Sequence, residues 1–394
     1  MKMDRNARLI LLTAMLLITG CKNFFNVPGS GSGCTTNCTT VSSGVFYVLN
    51  SSAGQVQIAG FSLVKNTLTP VTGSPYTLSS GPYAIAVAPN NSFLYVSTQS
   101  GIFLYTIGSG GALTLASATP VFKDFSAYTM QVDATDSWLV EASGSGYLYA
   151  IPIDPATGKL ATAGIVQQVP LSLIAPHQLA ISPDNKNVFV ALGGTGTVVV
   201  PFAAANANPL PASVGTPIAV KGTGGAAISV AVDPTSRLFY IGEISALSSS
   251  GNTGGLRAFL YSSLSGTPTE VTGSPFASAG LTPVSILPSA SGAYVYVANA
   301  TASSSSTGSV SGFAVTATGT TYALSALAGT VSTGTTPAGL AEDSTGTVVL
   351  LVNSGGNPDL NVYSFDATTP GKLDAALSLS TGTDPVGAKA IAAQ

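Results

Sequence analysis

The chain has 394 residues, of which 45% are hydrophobic and only 7% charged, and its formal net charge is -3. Apolar content this high can bury a large core, which argues against disorder. The lack of a Lys/Arg cluster beyond the extreme N-terminus argues against a nucleic-acid partner. Val, Tyr and Phe set between Gly, Ser and Thr favour short strands over helices.

In chain order, the first element is an export signal. Lys2, Arg5 and Arg8 form a basic start, and Leu9 to Ile18 form an apolar stretch too short to span a bilayer. It ends in Leu17-Ile18-Thr19-Gly20-Cys21, small residues before a cysteine, which is the bacterial lipobox pattern. Residues 1–20 are therefore expected to be a lipoprotein signal peptide, with Cys21 lipidated and its acyl chains as the membrane anchor. Residues 21–43 are a Gly/Ser/Thr tether. It holds Cys34 and Cys38, for which a small disulfide loop is expected in an oxidising compartment. A metal site is the other reading, but it would need His or acidic ligands nearby, and none is present. The predicted location is the bacterial cell envelope, on the periplasmic side or at the outer membrane.

From residue 44 onward the chain repeats itself. An apolar alternating run ending near Pro or Asp occurs at Ile85–Pro89, Met130–Asp133, Leu179–Pro183, Val230–Pro234, Ser285–Pro288, Leu340–Asp343 and Ala390–Ala393. An aromatic or aliphatic β run accompanies each, as in Phe46–Asn50, Phe93–Val96, Trp138–Val140 and Tyr294–Asn299. A third alternating strand follows, for example Val56–Phe61 and Leu360–Phe365, and a fourth is expected after the Gly-x-Leu turns at Gly111, Gly158 and Gly371. Repeats of four strands at this spacing predict an all-β, seven-bladed β-propeller of four-stranded antiparallel blades over residues 44–394. The chain starts on the second strand of a blade and ends on an innermost strand. Residues 386–392 should therefore pair with 45–50, closing the ring with both termini in one blade.

The Tyr-Val-x-Asn run at Tyr296–Asn299, the Gly-x-Leu turns, and Ser74-Pro75-Tyr76 with Ser274-Pro275-Phe276 make this region similar to the lactonase-like β-propeller family. That family includes the propeller-type 6-phosphogluconolactonases and a fungal muconate-lactonising relative. The resemblance implies a His, an Arg and a Glu at the mouth of the central channel. Pro176-His177 followed by an apolar strand and Pro183-Asp184 matches the His motif, and His177 is the only histidine. Tyr240-Ile241-Gly242-Glu243 matches the Glu motif in part. The family's Arg has no counterpart: Gly225-Ala226-Ala227-Ile228 puts Ile228 or a neighbour in its place, and Ala191–Thr195 departs from the acidic run expected after the His strand.

Lactone opening needs a base for water and a donor for the developing oxyanion. His177 is the candidate catalytic base and Glu243 its orienting acid. Without that Arg the oxyanion would rely on backbone amides or on a basic residue such as Arg257 on the following strand. Against these stand a solvent-facing or hydrogen-bonded His177 at a strand start and Glu243 as an ordinary loop residue. Asp133, Asp233 and Asp343 read as turn residues, and Trp138 as blade packing. Gly222–Gly225 lacks the following helix a phosphate loop needs, and Gly144-Ser145-Gly146 reads as a hairpin rather than a nucleophile elbow. No cofactor and no metal site is expected. Two functions are weighed. One is an envelope scaffold, expected to be monomeric, binding a carbohydrate, a lactone or an envelope protein through a degenerate site. The other is an extracytoplasmic lactone hydrolase using His177 and Glu243.

Overall fold

The computed structural model describes residues 44–394 apart from 53–54, 65–66, 124–125, 162–166, 172–174, 248–253, 301–306, 357, 375–376, 380–387 and 394. The expected signal peptide, tether, lipidated Cys21, Cys34 and Cys38 lie outside the described residues.

The described chain is an all-β propeller. Blade one contains β1 (Val45–Ser52), β2 (Gln55–Val64), β3 (Thr67–Pro70) and β4 (Tyr76–Thr77). Blade two is β5 (Pro82–Val87), β6 (Phe93–Thr98), β7 (Gly101–Ile107) and β8 (Leu113–Leu115). Blade three is β9 (Ala127–Val132), β10 (Trp138–Ser143), β11 (Tyr147–Pro152) and β12 (Gln167–Pro170). Blade four holds β13 (Gln178–Ile181), β14 (Asn187–Ala191) and β15 (Thr197–Pro201), with only an isolated bridge, Thr197 to Ile218, at its fourth position. Blade five is β16 (Ala226–Val232), β17 (Leu238–Ile244), β18 (Gly255–Leu260) and β19 (Phe276–Ala277).

Seven of the remaining strands form one sheet: β20 (Thr282–Pro288), β21 (Tyr294–Ala300), β22 (Thr307–Thr318), β23 (Thr321–Glu342), β24 (Val348–Gly356), β25 (Leu360–Ser364) and β26 (Leu377–Leu379). Seven separate blades were expected, and the described residues give six hydrogen-bonded sheets instead. The cause is β23, 22 residues long, whose first half pairs with β22 and whose second half pairs with β24. It is the outer strand of one repeat and the inner strand of the next.

The terminal pairing follows the sequence. β27 (Ala388–Ala393) runs antiparallel to β1, with Phe46 opposite Ala393 and Leu49 opposite Ala390, so the last strand is the innermost of the first blade. Alternation along each second strand sends side chains to both neighbouring blades. Phe46 and Val48 pack against Leu350 and Val352 of β24, while Tyr47 and Leu49 pack against Leu94 and Val96 of blade two.

The recurrent Asp residues are turn residues, as read from the sequence. Oδ1 of Asp133 accepts from the N–H groups of Ser137 and Trp138 (both 2.7 Å), and Asp343 does the same for Thr347 and Val348 (both 2.7 Å). Trp138 is buried between blades three and four, and its indole N–H reaches the Ala204 carbonyl at 2.9 Å.

The Gly-x-Leu turns have another role than starting a fourth strand. At Gly111 the strand follows directly, but Leu160 and Leu373 make single bridges and the fourth strands β12 and β26 come later. What the three share is a clasp between blades. Tyr47, Tyr95 and Tyr296 each donate a hydroxyl at 2.7 Å to the carbonyl of Gly111, Gly158 and Gly371 in the next blade. Positive φ (83°, 68° and 77°) and a neighbouring side chain within 2.5 Å of where a Cβ would sit both demand glycine there.

One core position breaks the pattern. Glu141 on β10 occupies the place held by Val96, Val190, Ile241, Val297 and Leu351 in other repeats, and it faces Met130 and Tyr149 across its neighbouring strands. It is fully buried with neither carboxylate oxygen hydrogen-bonded, so desolvation pushes its pKa up to about 8. A raised folded-state pKa means the folded chain holds the proton more tightly than the unfolded chain. Stability contributed by the neutral acid is therefore complete below the unfolded value and declines as pH rises towards 8. Denaturant unfolding of wild type and Glu141→Gln at pH 5 and pH 8 should show the wild type losing on the order of a few kcal/mol more between the two pH values. Equal losses would mean the carboxyl finds a partner or water.

Candidate functional site

Each innermost strand begins with a β-bulge, and the bulges build one rim of the channel. Register shifts leave Tyr83, Tyr128, Ile228, Val284, Ala338 and Lys389 as the extra residues on β5, β9, β16, β20, β23 and β27. His177 holds the same place in blade four: its N–H donates to the Ala191 carbonyl at 2.9 Å, and Ala191 also faces Gln178. Proline precedes four of the seven, at Pro82, Pro176, Pro283 and Pro337. A bulge re-aims its side chain out of the pleat, which is why such positions recur beside binding sites.

His177 therefore sits on this rim, exposed, and partial desolvation lowers its pKa, so the ring is neutral at pH 7. Ile228 stands at the equivalent position of the next blade, where the family resemblance called for Arg.

Glu243 lies at the same end of blade five but inside it. Its partner across the ladder is Ala227, which bridges to Gly193 of blade four. The side chain is 0% exposed. Oε1 accepts from Arg257 Nη1 at 2.6 Å, and Oε2 accepts from the Lys221 N–H at 3.0 Å. Arg257 makes three further hydrogen bonds: Nε and Nη2 donate to Glu270 Oε1, and Nη1 also donates to the Ala219 carbonyl at 2.8 Å, while the guanidinium lies 4.8 Å from the Phe259 ring centre. Lys221 Nζ closes the network on Glu270 Oε2 at 3.0 Å. The structure thus joins Glu243 to Arg257, not to His177, and His177 has no carboxylate bonded to its ring among the described residues.

Tyr83 and Tyr128 are rim residues the sequence reading passed over. Their rings are 5.1 Å apart at an interplanar angle of 32°, and Tyr128 is 39% exposed. A Cβ on Gly144 would fall 2.9 Å from Tyr128 Cζ, so the β10–β11 hairpin is the bed on which that ring lies. The sequence signal was available: each rim residue stands five positions before the turn residue, and Pro-Tyr and Pro-His are the same motif in two blades.

Within the channel, side chains of one innermost strand bond the backbone of the next. Gln131 accepts from Ile181 N–H at 2.9 Å, Gln178 from Val230 N–H at 3.1 Å, and Ser285 from Leu340 N–H at 3.2 Å. A cavity of about 430 Å³ opens at the turn end, and no charged side chain lines it. No cluster of three or more His, Cys, Asp or Glu with metal-binding placement occurs among the described residues.

A family model described as "Lactonase, 7-bladed beta-propeller" matches residues 42–174. The likeness to the lactonase propellers is thereby shown. Among solved structures, a candidate 6-phosphogluconolactonase of Bacteroides fragilis superposes with a TM-score of 0.68 at 17% identity, covering 91% of this chain and all of that one. A periplasmic gluconolactonase of Pseudomonas aeruginosa gives 0.65 at 17% identity, covering 89% and 99%. A protein from Lactobacillus plantarum gives 0.63 at 20% identity, covering 89% and 99%. At these identities the superpositions speak for the fold. No curated protein matches the chain.

The Glu243 network makes a stability prediction. Arg257→Met leaves a buried carboxylate without its cation and should cost about 3–5 kcal/mol in urea unfolding, and Arg257→Met combined with Glu243→Gln should recover much of that. His177→Ala, at an exposed rim position, should stay within about 0.5 kcal/mol of wild type. An Arg257→Met midpoint indistinguishable from that of His177→Ala would remove the network from the stability of blade five.

Proposed function

We propose that this chain is an extracytoplasmic, lipid-anchored propeller that works as a binding scaffold through the His177 rim, as a monomer, rather than as an efficient hydrolase. The observation that carries the reading is the state of Glu243. Both oxygens of a fully buried carboxylate are committed to Arg257 and the Lys221 N–H, so neither the acid nor the cation is available to His177 or to a substrate oxyanion. The rim positions on either side of His177 are Tyr128 and Ile228, so neither neighbour supplies an orienting acid or a cation. Absence of one oxyanion donor alone typically costs about 100-fold in rate. We also read the ring as seven-bladed, with β23 serving two blades. Seven apolar clusters, each shared by two successive repeats, support that count. The anchor reading rests on the Leu17–Cys21 lipobox.

The second reading, a lactone hydrolase, draws on the family match over residues 42–174 and on a His177 ring neutral at pH 7 and therefore competent as a base. Hydrolysis of unphosphorylated and phosphorylated sugar lactones by the full chain decides between them. The expected result is a rate equal to spontaneous hydrolysis. Turnover that disappears in both His177→Ala and Glu243→Ala would overturn the scaffold reading and establish a lactonase.

A further inference from the structure

We propose that Tyr83 and Tyr128 form a carbohydrate platform on the His177 rim, on which the apolar face of a pyranose ring stacks. The inference rests on the scaffold reading and specifies its ligand. Four observations on the same rim carry it. The two tyrosines occupy bulge positions of adjacent innermost strands, where the backbone re-aims side chains towards the channel mouth. Their rings already pack at 5.1 Å, so the platform is formed before any ligand arrives and little side-chain entropy remains to be lost on binding. Tyr128 keeps 39% exposure although an apolar cluster lies directly beneath its strand, and Gly144 leaves the space its ring occupies. His177, the next rim residue, is exposed and has a lowered pKa, so at pH 7 its imidazole both donates and accepts.

The match is one of shape and chemistry. Tyrosine combines a flat apolar ring with a hydroxyl that bonds at its edge, as a pyranose combines an axial C–H face with equatorial hydroxyls. Beyond His177 the rim continues with Ile228, Val284 and Ala338, which offer a sugar an apolar margin, and then with the bulge position of Lys389 on the closing strand β27.

The test is ligand-observed saturation-transfer NMR on the full chain in detergent, with cellotriose and maltotriose as probes. At least one trisaccharide should bind. Tyr128→Ala and Tyr83→Ala should each weaken it roughly tenfold, while Tyr128→Phe, which keeps the ring, should stay within about threefold. Circular dichroism of the variants checks folding, and Tyr128→Phe keeps the question open to test even if an alanine variant unfolds. Binding of neither trisaccharide, or equal binding by wild type and a folded Tyr128→Ala, overturns the platform. The two readings fail separately. Lactone turnover together with Tyr128-dependent trisaccharide binding would sink the scaffold reading and keep the platform. No turnover and no trisaccharide binding would do the reverse.

Discussion

The propeller stands on the pairing of β27 with β1. Every four-stranded unit buries both faces against its neighbours, so no unit has a finished core of its own, and the ring must be continuous for any of them to be covered. Phe46 and Val48 meet the β24 strand on one side while Tyr47 and Leu49 meet blade two on the other, all from eight residues of β1. Those contacts hold only while the first and last strands share a sheet. The closure uses backbone hydrogen bonds and apolar packing, with no covalent tie required among the described residues.

Around that constraint, the blades are fastened at three levels. On the turn side, buried Asp residues gather the backbone N–H groups of their turns. In the sheet layer, tyrosine hydroxyls reach glycine carbonyls of the next blade. Along the channel, Gln and Ser side chains satisfy N–H groups on the open inner edge of the following strand. Each device satisfies a backbone group that would otherwise be left exposed or buried without a partner. The rim at the other end is freed from this work. It takes no part in these three devices, and it is there that His177, Tyr83 and Tyr128 stand.

The contrast between Glu243 and Glu141 shows how burial alone does not set the role of an acid. Glu243 is buried with a guanidinium and a backbone amide, an arrangement that holds a charged carboxylate in place and closes it to other partners. Glu141 is buried in an apolar layer with nothing to bond, and the same loss of water drives it to its neutral form. A sequence motif cannot separate the two, because both are single acids inside second-strand patterns.

By itself the sequence determined the all-β class, the strand periodicity, the turn role of Asp133, Asp233 and Asp343, and the pairing of the two termini. These depend on local alternation and on turn chemistry, which are written in neighbouring residues. It also marked His177 and Glu243, from two separate motifs, and paired them as base and orienting acid, whereas Glu243 bonds Arg257 and the Lys221 N–H. The tertiary structure alone decided who meets whom. Arg257 turns to Glu243 because the two share a face of the β17–β18 ladder, β23 fuses two repeats because it is long enough to pair on both sides, and Tyr83 meets Tyr128 because successive bulges fall side by side on a closed ring. Those contacts join residues from 14 to more than 40 positions apart, and only the register of the strands and the closure of the ring bring them within reach.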